Sequence, residues 1–263
     1  YSTILIPSLC YSLPAVNVPR EALEKLENLF MPTIQQRMGF IQGYPKALLY
    51  GSPQFMGHSF YHLHAIHIRL KIEHMMKHIR AGTSKGQTAR AMINWAQTQA
   101  GTSIPVLETH HLLPHMESKW LQHLREGLRS INAKIYIPDT WIYPPVCIND
   151  RHIMDDVLSL QLSDETIRKI NYCRQYLRVM HVSDIVSSDG KKLHPFILSD
   201  QPDKLSNQLP TLNWAIQNCP SEKTWKIWKE IIQALYCSNG RNLTTTLGKW
   251  TLTHKNWMAY YNV

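Results

Sequence analysis

A helix, a short break and a second helix, all between Pro45 and Gly101, form the clearest pattern in this sequence. The apolar positions of the first helix are Leu63, Ile66, Leu70, Met76 and Ile79. They recur at helical spacing, which predicts one buried stripe. Gly82 ends this helix, and Ser84 with Gln87 resembles a capping box that starts the second. The pattern therefore predicts a helical hairpin with one apolar side.

The rest of the chain predicts further helices and little sheet. Helical periodicity recurs over 20–38, 119–133 and 163–179, and again after Ser221. Asn149, Ser163 and Ser221 are the predicted N-caps of helices, whereas prolines predict irregular structure up to Pro19. The runs 181–186 and 192–198, joined by Ser188-Asp189-Gly190, have the composition of a small β-hairpin, and prolines make 135–145 an extended edge segment. We expect a mainly α fold, an irregular helical bundle with a small β-hairpin and extended edge segments. Its two regions would be a helical one at 1–134, which contains the basic hairpin, and a mostly helical one at 135–263.

Composition limits the class of protein. The chain has 263 residues, 44% of them hydrophobic, with eight Trp, which is enough to form a folded core. No run of about 18 apolar residues occurs, so we expect no transmembrane helix and no membrane partner. The five cysteines are scattered and odd in number, which favours reduced thiols in an intracellular compartment, nucleus or cytoplasm. Because the chain starts at Tyr1, we interpret it as a fragment of a longer protein.

Positive charge is unevenly distributed along the chain. The net charge is +6 over 57–134 and +4 over 221–263, but only +1 over 1–56 and −2 over 135–220. Ten of the fourteen histidines lie between His58 and His123. Such a concentration favours a polyanion such as nucleic acid as the partner. The alternative is a solvated basic face that serves solubility.

Several short motifs resemble one known family. They are "YGSP", a Met-Gly pair before the long helix, "KHIRAGTSKG", "QTQAG", "INDRHIMDD", "INYCRQYLRVMHVSDIVSSDG" and "LGKWTLTHKNWMAYY". In this order they resemble the region after the polymerase palm in reverse transcriptases of retrotransposon-type mobile elements, from about Pro32 onward. The family usually has Gly-Gly before the long helix, whereas here His58 follows Gly57.

This resemblance implies a non-catalytic fragment that grips the RNA/DNA template–primer duplex through phosphate contacts. Its catalytic carboxylates, and the Mg²⁺ that they bind, would belong to the upstream palm of the same polypeptide, with no cofactor in this chain. The basic residues assigned to nucleic-acid binding are Arg69, Lys71, Lys77, Arg80, Lys85, Arg90, Arg125 and Arg129. The alternative function is a stand-alone helical protein-interaction module whose basic face binds an acidic partner.

Two groups of residues could carry chemistry. Asp155-Asp156 is the only adjacent pair of aspartates, but it stands in the first turn of a helical pattern, where acids stabilise the helix dipole. We therefore assign no catalytic residue. His58 and His62 have the i,i+4 spacing of shared metal ligands, as do His74 and His78, but no His-Glu-x-x-His pattern accompanies them. We assign no metal site, and favour histidines that lie beside a phosphate backbone over a zinc site.

Overall fold

The fold is mainly α, as the sequence predicts. The computed structural model describes residues 5–41, 43–60, 62–200, 218–252 and 258–261. The helices in this part of the chain are α1 (Leu5–Ser12), α2 (Arg20–Arg37), α3 (Lys46–Tyr50), α4 (Leu63–Arg80), α5 (Ser84–Ala100), α6 (Lys119–Ser130), α7 (Ile153–Ser159), α8 (Asp164–Leu177) and α9 (Glu222–Tyr236). Strand β1 (Cys237–Asn239) pairs antiparallel with β2 (Asn242–Leu243), and β3 (Lys249–Leu252) with β4 (Met258–Tyr261). The last motif of the resemblance, 247–261, lies partly outside the described residues.

The chain divides into two units, and unit 1 holds the first helices. It contains residues up to Ile93 and again from Ser118 to Ile135. Helices α2 and α6 both pack on α4, and a buried apolar cluster joins α1, α2 and α4. The indole nitrogen of Trp120 on α6 donates to the Pro14 carbonyl oxygen at 2.9 Å, which fixes the segment after α1.

Unit 2 contains 94–117 and the chain from Tyr136 onward. Its core is built on α8 and α9, where Ile170, Trp228 and Ile232 are completely buried. The Oγ atoms of Ser163 and Ser221 each accept the backbone N–H three residues later at 3.3 Å, so both predicted N-caps are confirmed.

A buried arginine holds the end of α5 within unit 2. Arg174 on α8 is fully buried, and its Nη2 donates to the carbonyl oxygens of Thr98 and Gln99 at 3.3 and 2.6 Å. His115 donates to the next carbonyl, Ala100, at 3.1 Å. A Cβ on Gly101 would overlap the Arg174 guanidinium, so only glycine fits there. The "QTQAG" motif is therefore a helix end whose carbonyls are satisfied by side chains.

The predicted β-hairpin at 181–198 is wrong. Val182–Ile185 and Pro195–Leu198 are 3₁₀ turns, and only Val186 and Leu193 pair between the two runs. The carboxylate of Asp184 accepts the N–H groups of Met180 and His181 at 2.7 and 2.8 Å, which curls the backbone away from a strand. The connecting turn does form, with Asp189 accepting from Ser187 and Lys191.

Helix starts also differ from the prediction. Residues 5–12 are helical although their prolines predicted irregular structure. Helix α5 is capped by Thr83, whose Oγ1 accepts the Gly86 N–H at 3.1 Å, and the predicted Ser84 is its first helical residue. Helix α7 starts after His152, while the predicted cap Asn149 donates to the Thr246 carbonyl at 3.0 Å.

None of the five cysteines forms a disulfide bond. Burial raises the pKa of Cys147 to about 11 and that of Cys173 to about 12, while Cys219 is exposed. Among the described residues, no helix combines the length and the apolar character needed to cross a membrane.

Candidate nucleic-acid interface

The net positive charge of the chain belongs entirely to unit 1. Its sequence contains 14 Lys and Arg against five Asp and Glu, a net charge of +9, while unit 2 contains 14 of each. Between Glu27 and Glu108 the only acidic residue is Glu73, and its Oε1 lies 3.1 Å from Arg69 Nε. An exposed surface with so few carboxylates has a positive potential that attracts polyanions.

The end of the α4–α5 hairpin concentrates this charge. Lys77, Arg80 and Lys85 are exposed around the turn at 81–83. The pKa of the nearby His74 reflects this concentration of positive charge. This pKa is lowered by burial, by His78 and by the ammonium groups of Lys85 and Lys77. In the described residues, none of the three forms an ion pair with a carboxylate, so their charge faces solvent.

Close packing fixes this turn. The carbonyl oxygen of His78 accepts from Thr83 Oγ1 at 3.4 Å, and the His78 ring and Thr83 Oγ1 share a hydrogen bond of 3.1 Å. A Cβ on Gly86 would overlap that carbonyl group, so α5 approaches α4 as closely as a backbone can. The side chains of Lys77 and Lys85 are therefore carried on a rigid support.

The eight basic residues assigned from the sequence do not share one environment. Arg69, Lys77, Arg80, Lys85 and Arg129 are exposed. Arg90 and Arg125 are half-buried, and burial together with Arg129 lowers the pKa of Arg125 to about 10. The exposed set remains available for phosphate contacts, while the half-buried pair is less accessible.

Lys71 is a correction to the sequence prediction, because its side chain lies inside unit 1. It is completely buried, its Nζ donates to Asn17 Oδ1 at 2.5 Å, and His123 Nδ1 lies 3.3 Å away. The ammonium group also lies over the Trp120 ring, 5.1 Å from its centroid. Burial lowers the pKa of Lys71 to about 8. A phosphate cannot reach this nitrogen without unfolding its surroundings.

The paired carboxylates point to different neighbours. Asp155 accepts the Ser103 backbone N–H, at 3.0 Å to Oδ2. Asp156 Oδ2 lies 2.5 Å from Arg151 Nε and accepts the Tyr236 hydroxyl at 2.8 Å. Each carboxylate thus has a structural role in unit 2.

The histidines of unit 1 pack against each other. The ring of His123 lies 4.7 Å from that of His67 and 6.3 Å from that of His64. Burial is the main cause that lowers the pKa of all three. In the described part of the chain, no three His, Cys, Asp or Glu side chains are arranged to hold a metal ion.

Sequence reasoning overlooked exposed cations outside the central hairpin. Arg37 and Lys46 belong to the stretch of 28–72, which contains no acidic residue. The net charge over 1–56 concealed that stretch, because this range also contains Glu21, Glu24 and Glu27. The spacing between successive carboxylates would have revealed it.

Comparisons of this chain with protein-family models, with curated proteins and with solved structures give no match.

Proposed function

We propose that this chain is a non-catalytic part of a mobile-element reverse transcriptase that binds the template–primer duplex through phosphate contacts. The observation that carries the proposal is the location of the entire net charge of +9 in unit 1, with exposed cations at the end of the α4–α5 hairpin. The sequence motifs described above supply the family and the kind of duplex.

The mode of binding follows from the type of side chain. Lys77, Arg80 and Lys85 are exposed, flexible cations on a rigid turn, and such groups contact phosphate oxygens without reading bases. Each phosphate contact releases condensed counterions, so affinity falls as salt rises. Polymerisation requires binding of this kind, because the enzyme must move along any sequence.

The test is the salt dependence of binding to an RNA/DNA heteroduplex of arbitrary sequence. We expect log Kd to vary linearly with log salt, and the triple variant Lys77→Gln, Arg80→Gln, Lys85→Gln to lower the slope by about 2 to 3. Fluorescence anisotropy with a labelled duplex measures both quantities.

A matched control comes from unit 2. Lys191, Lys223 and Arg241 are exposed, and replacing all three by Gln removes the same charge. This control should leave the slope unchanged. An equal loss in both triple variants, or no duplex binding at all, contradicts the proposal. The second result is what the alternative of an acidic protein partner predicts.

A further inference from the structure

A cleft in unit 1 combines a buried carboxylate with exposed cations. Its volume is about 410 Å³, and it lies between α2, α3 and the start of α4. The side chains that matter for its chemistry are Glu27 and Tyr50 inside, His62 beside them, and Lys46 and Arg20 at the rim. A volume of this size accommodates a small polar molecule.

Glu27 is the polar centre of the cleft. It is 3% exposed, and its Oε1 accepts the Tyr50 hydroxyl at 2.5 Å. Its Oε2 lies 3.9 Å from His62 Nδ1, beyond hydrogen-bond distance, and that buried nitrogen has no hydrogen-bond partner among the described residues. A buried carboxylate is costly unless several donors surround it. The cleft thus offers a ligand the Glu27 carboxylate, with the His62 ring beside it.

The rim carries the opposite charge at Lys46. Lys46 is exposed and forms no ion pair within the described residues, while Arg20 Nε lies 2.6 Å from Glu24 Oε1. Tyr50 and His62 add aromatic surface, with ring centroids 5.3 Å apart at 60°. A matching ligand has adjacent N–H donors and a planar ring at one end, and an anionic group at the other.

We propose that this cleft binds guanine nucleotides, with the guanine N1–H and its exocyclic N2 amine donating to the Glu27 carboxylate and the phosphate contacting Lys46. Guanine alone among the common bases presents two adjacent donors to a pair of oxygens. Adenine and cytosine place a ring acceptor beside their amine, and uracil flanks its single N–H with two carbonyls. The guanine comes either from a free nucleotide or from an unpaired position in a bound strand. The second source rests on the proposed function.

The first experiment uses the unmodified chain and free nucleotides. Isothermal titration calorimetry with GMP, AMP and IMP should show GMP binding about tenfold more tightly than AMP, because one bidentate pair is worth about that much. IMP keeps the N1–H but lacks the N2 amine, so its affinity should lie between the two. This comparison does not depend on any variant folding correctly.

Variants then assign the contacts. Glu27→Gln replaces one acceptor by a donor and should remove the preference for GMP over AMP. Tyr50→Phe should reduce the preference, because it deletes only the hydroxyl that orients the carboxylate. Lys46→Gln should weaken GMP and AMP equally, whereas Lys25→Gln on the exposed part of α2 should change neither. Circular dichroism of each variant shows whether it is folded.

Oligonucleotides separate the two sources of guanine. Preference for a single-stranded oligomer containing guanine over one without it, together with weak GMP binding, assigns the cleft to bases within a strand. Equal affinity for GMP, AMP and IMP, with no preference among oligomers, overturns the inference. If salt-dependent duplex binding persists in that case, the proposed function still stands. If duplex binding is also absent, both fail.

Discussion

Lys71 shows how a charged residue can belong to a core. On α4 the buried apolar positions include Ile68, Met75 and Ile79, and Lys71 falls on the same stripe. Neighbouring Met75 and Met76 allow two helical phases, and the prediction placed Met76 on the buried stripe and Lys71 off it. Apolar spacing could identify the helix, but could not decide between phases that differ by one residue.

Lys71→Met should change how stability depends on pH. Folding lowers the pKa of Lys71 from its usual 10.5 to about 8. Between these values the unfolded chain binds more protons, so this group makes the folded protein more stable as pH rises and least stable below pH 8. Relative to the variant, the wild type should gain about 2 kcal/mol between pH 7 and pH 9.5.

Urea unfolding of both proteins at the two pH values measures this difference. Lys25→Met, which changes an exposed lysine on α2, should show no such gain. The same Lys71→Met protein should keep the wild-type salt slope for duplex binding, since its ammonium group does not reach the surface. A lower salt slope in Lys71→Met would show that Lys71 does contact phosphate in the complex.

At the scale of elements, the end of α5 is stabilised by Arg174, a residue far from it in the sequence. Arg174 also donates from Nε and Nη2 to Asn171 Oδ1, at 3.0 and 2.7 Å, so one side chain serves two helices. Burial lowers its pKa to about 9. The sequence predicts α8 as a helix, and helical spacing from Ile170 allows either Cys173 or Arg174 on its buried face. Both are buried, and no local pattern predicts which carbonyl groups the arginine contacts.

Arg174→Lys should destabilise unit 2 even though it keeps the charge. An ammonium group on a shorter reach cannot replace a planar guanidinium, and buried carbonyls then lose their donors. We expect a loss of about 3 kcal/mol in the free energy of unfolding, measured in urea. Arg178→Lys, at an exposed position just after α8, serves as the control and should be neutral. A small loss at Arg174 would mean that these carbonyl groups find other donors.

Gly86→Ala tests the close approach of α4 and α5. The added methyl group meets the His78 carbonyl group, so the turn must open. We expect a loss of about 1 to 3 kcal/mol in stability, as for other overpacked sites. Duplex affinity should fall as well, because Lys77 and Lys85 move apart.

Gly82→Ala is a poor control for this variant, because Gly82 has a φ of +60° and any side chain there is strained. Ser84→Ala in the same turn is preferable, and unchanged affinity in Gly86→Ala would show that the spacing of the two lysines is unimportant.

At the scale of the whole molecule, buried imidazoles should make the folded protein less stable in acid. Burial, followed by the neighbouring His181, lowers the pKa of His152 to about 4, and the rings of this pair lie 4.3 Å apart. Between pH 6.5 and pH 4, His152 is protonated in the unfolded chain but remains neutral in the folded protein. The free energy of unfolding therefore falls as pH falls. The lowered pKa values of His64, His67 and His123 act in the same direction in unit 1.

The free energy of unfolding should therefore decrease from pH 7 to pH 5, with about 2 kcal/mol of the decrease due to His152. His152→Gln should flatten the profile by that amount, whereas His111→Gln, at an exposed position, should leave it unchanged. Urea midpoints across the range provide the measurement. A profile that His152→Gln leaves equally steep would show that other groups cause the acid sensitivity.

The helical class and most helices could be predicted because they rest on local spacing and on caps such as Ser163 and Ser221. The grouping of 94–117 with the second half of the chain rests on long-range contacts. Gln97, for example, donates to the Thr102 carbonyl at 2.8 Å and accepts the Val106 N–H at 2.7 Å, which orders the loop after α5. The cleft around Glu27 was hidden for the same reason, since Tyr50 and His62 are far from it in sequence.

The thiols give the chain a selective chemistry of its own. Cys147 and Cys173 are shielded and keep their protons at neutral pH, whereas Cys219 is open to reagents. A maleimide dye should therefore attach first to Cys219, placing a fluorescent reporter on the neutral unit, because the Cys10 thiol of the cationic unit is half-buried and burial raises its pKa.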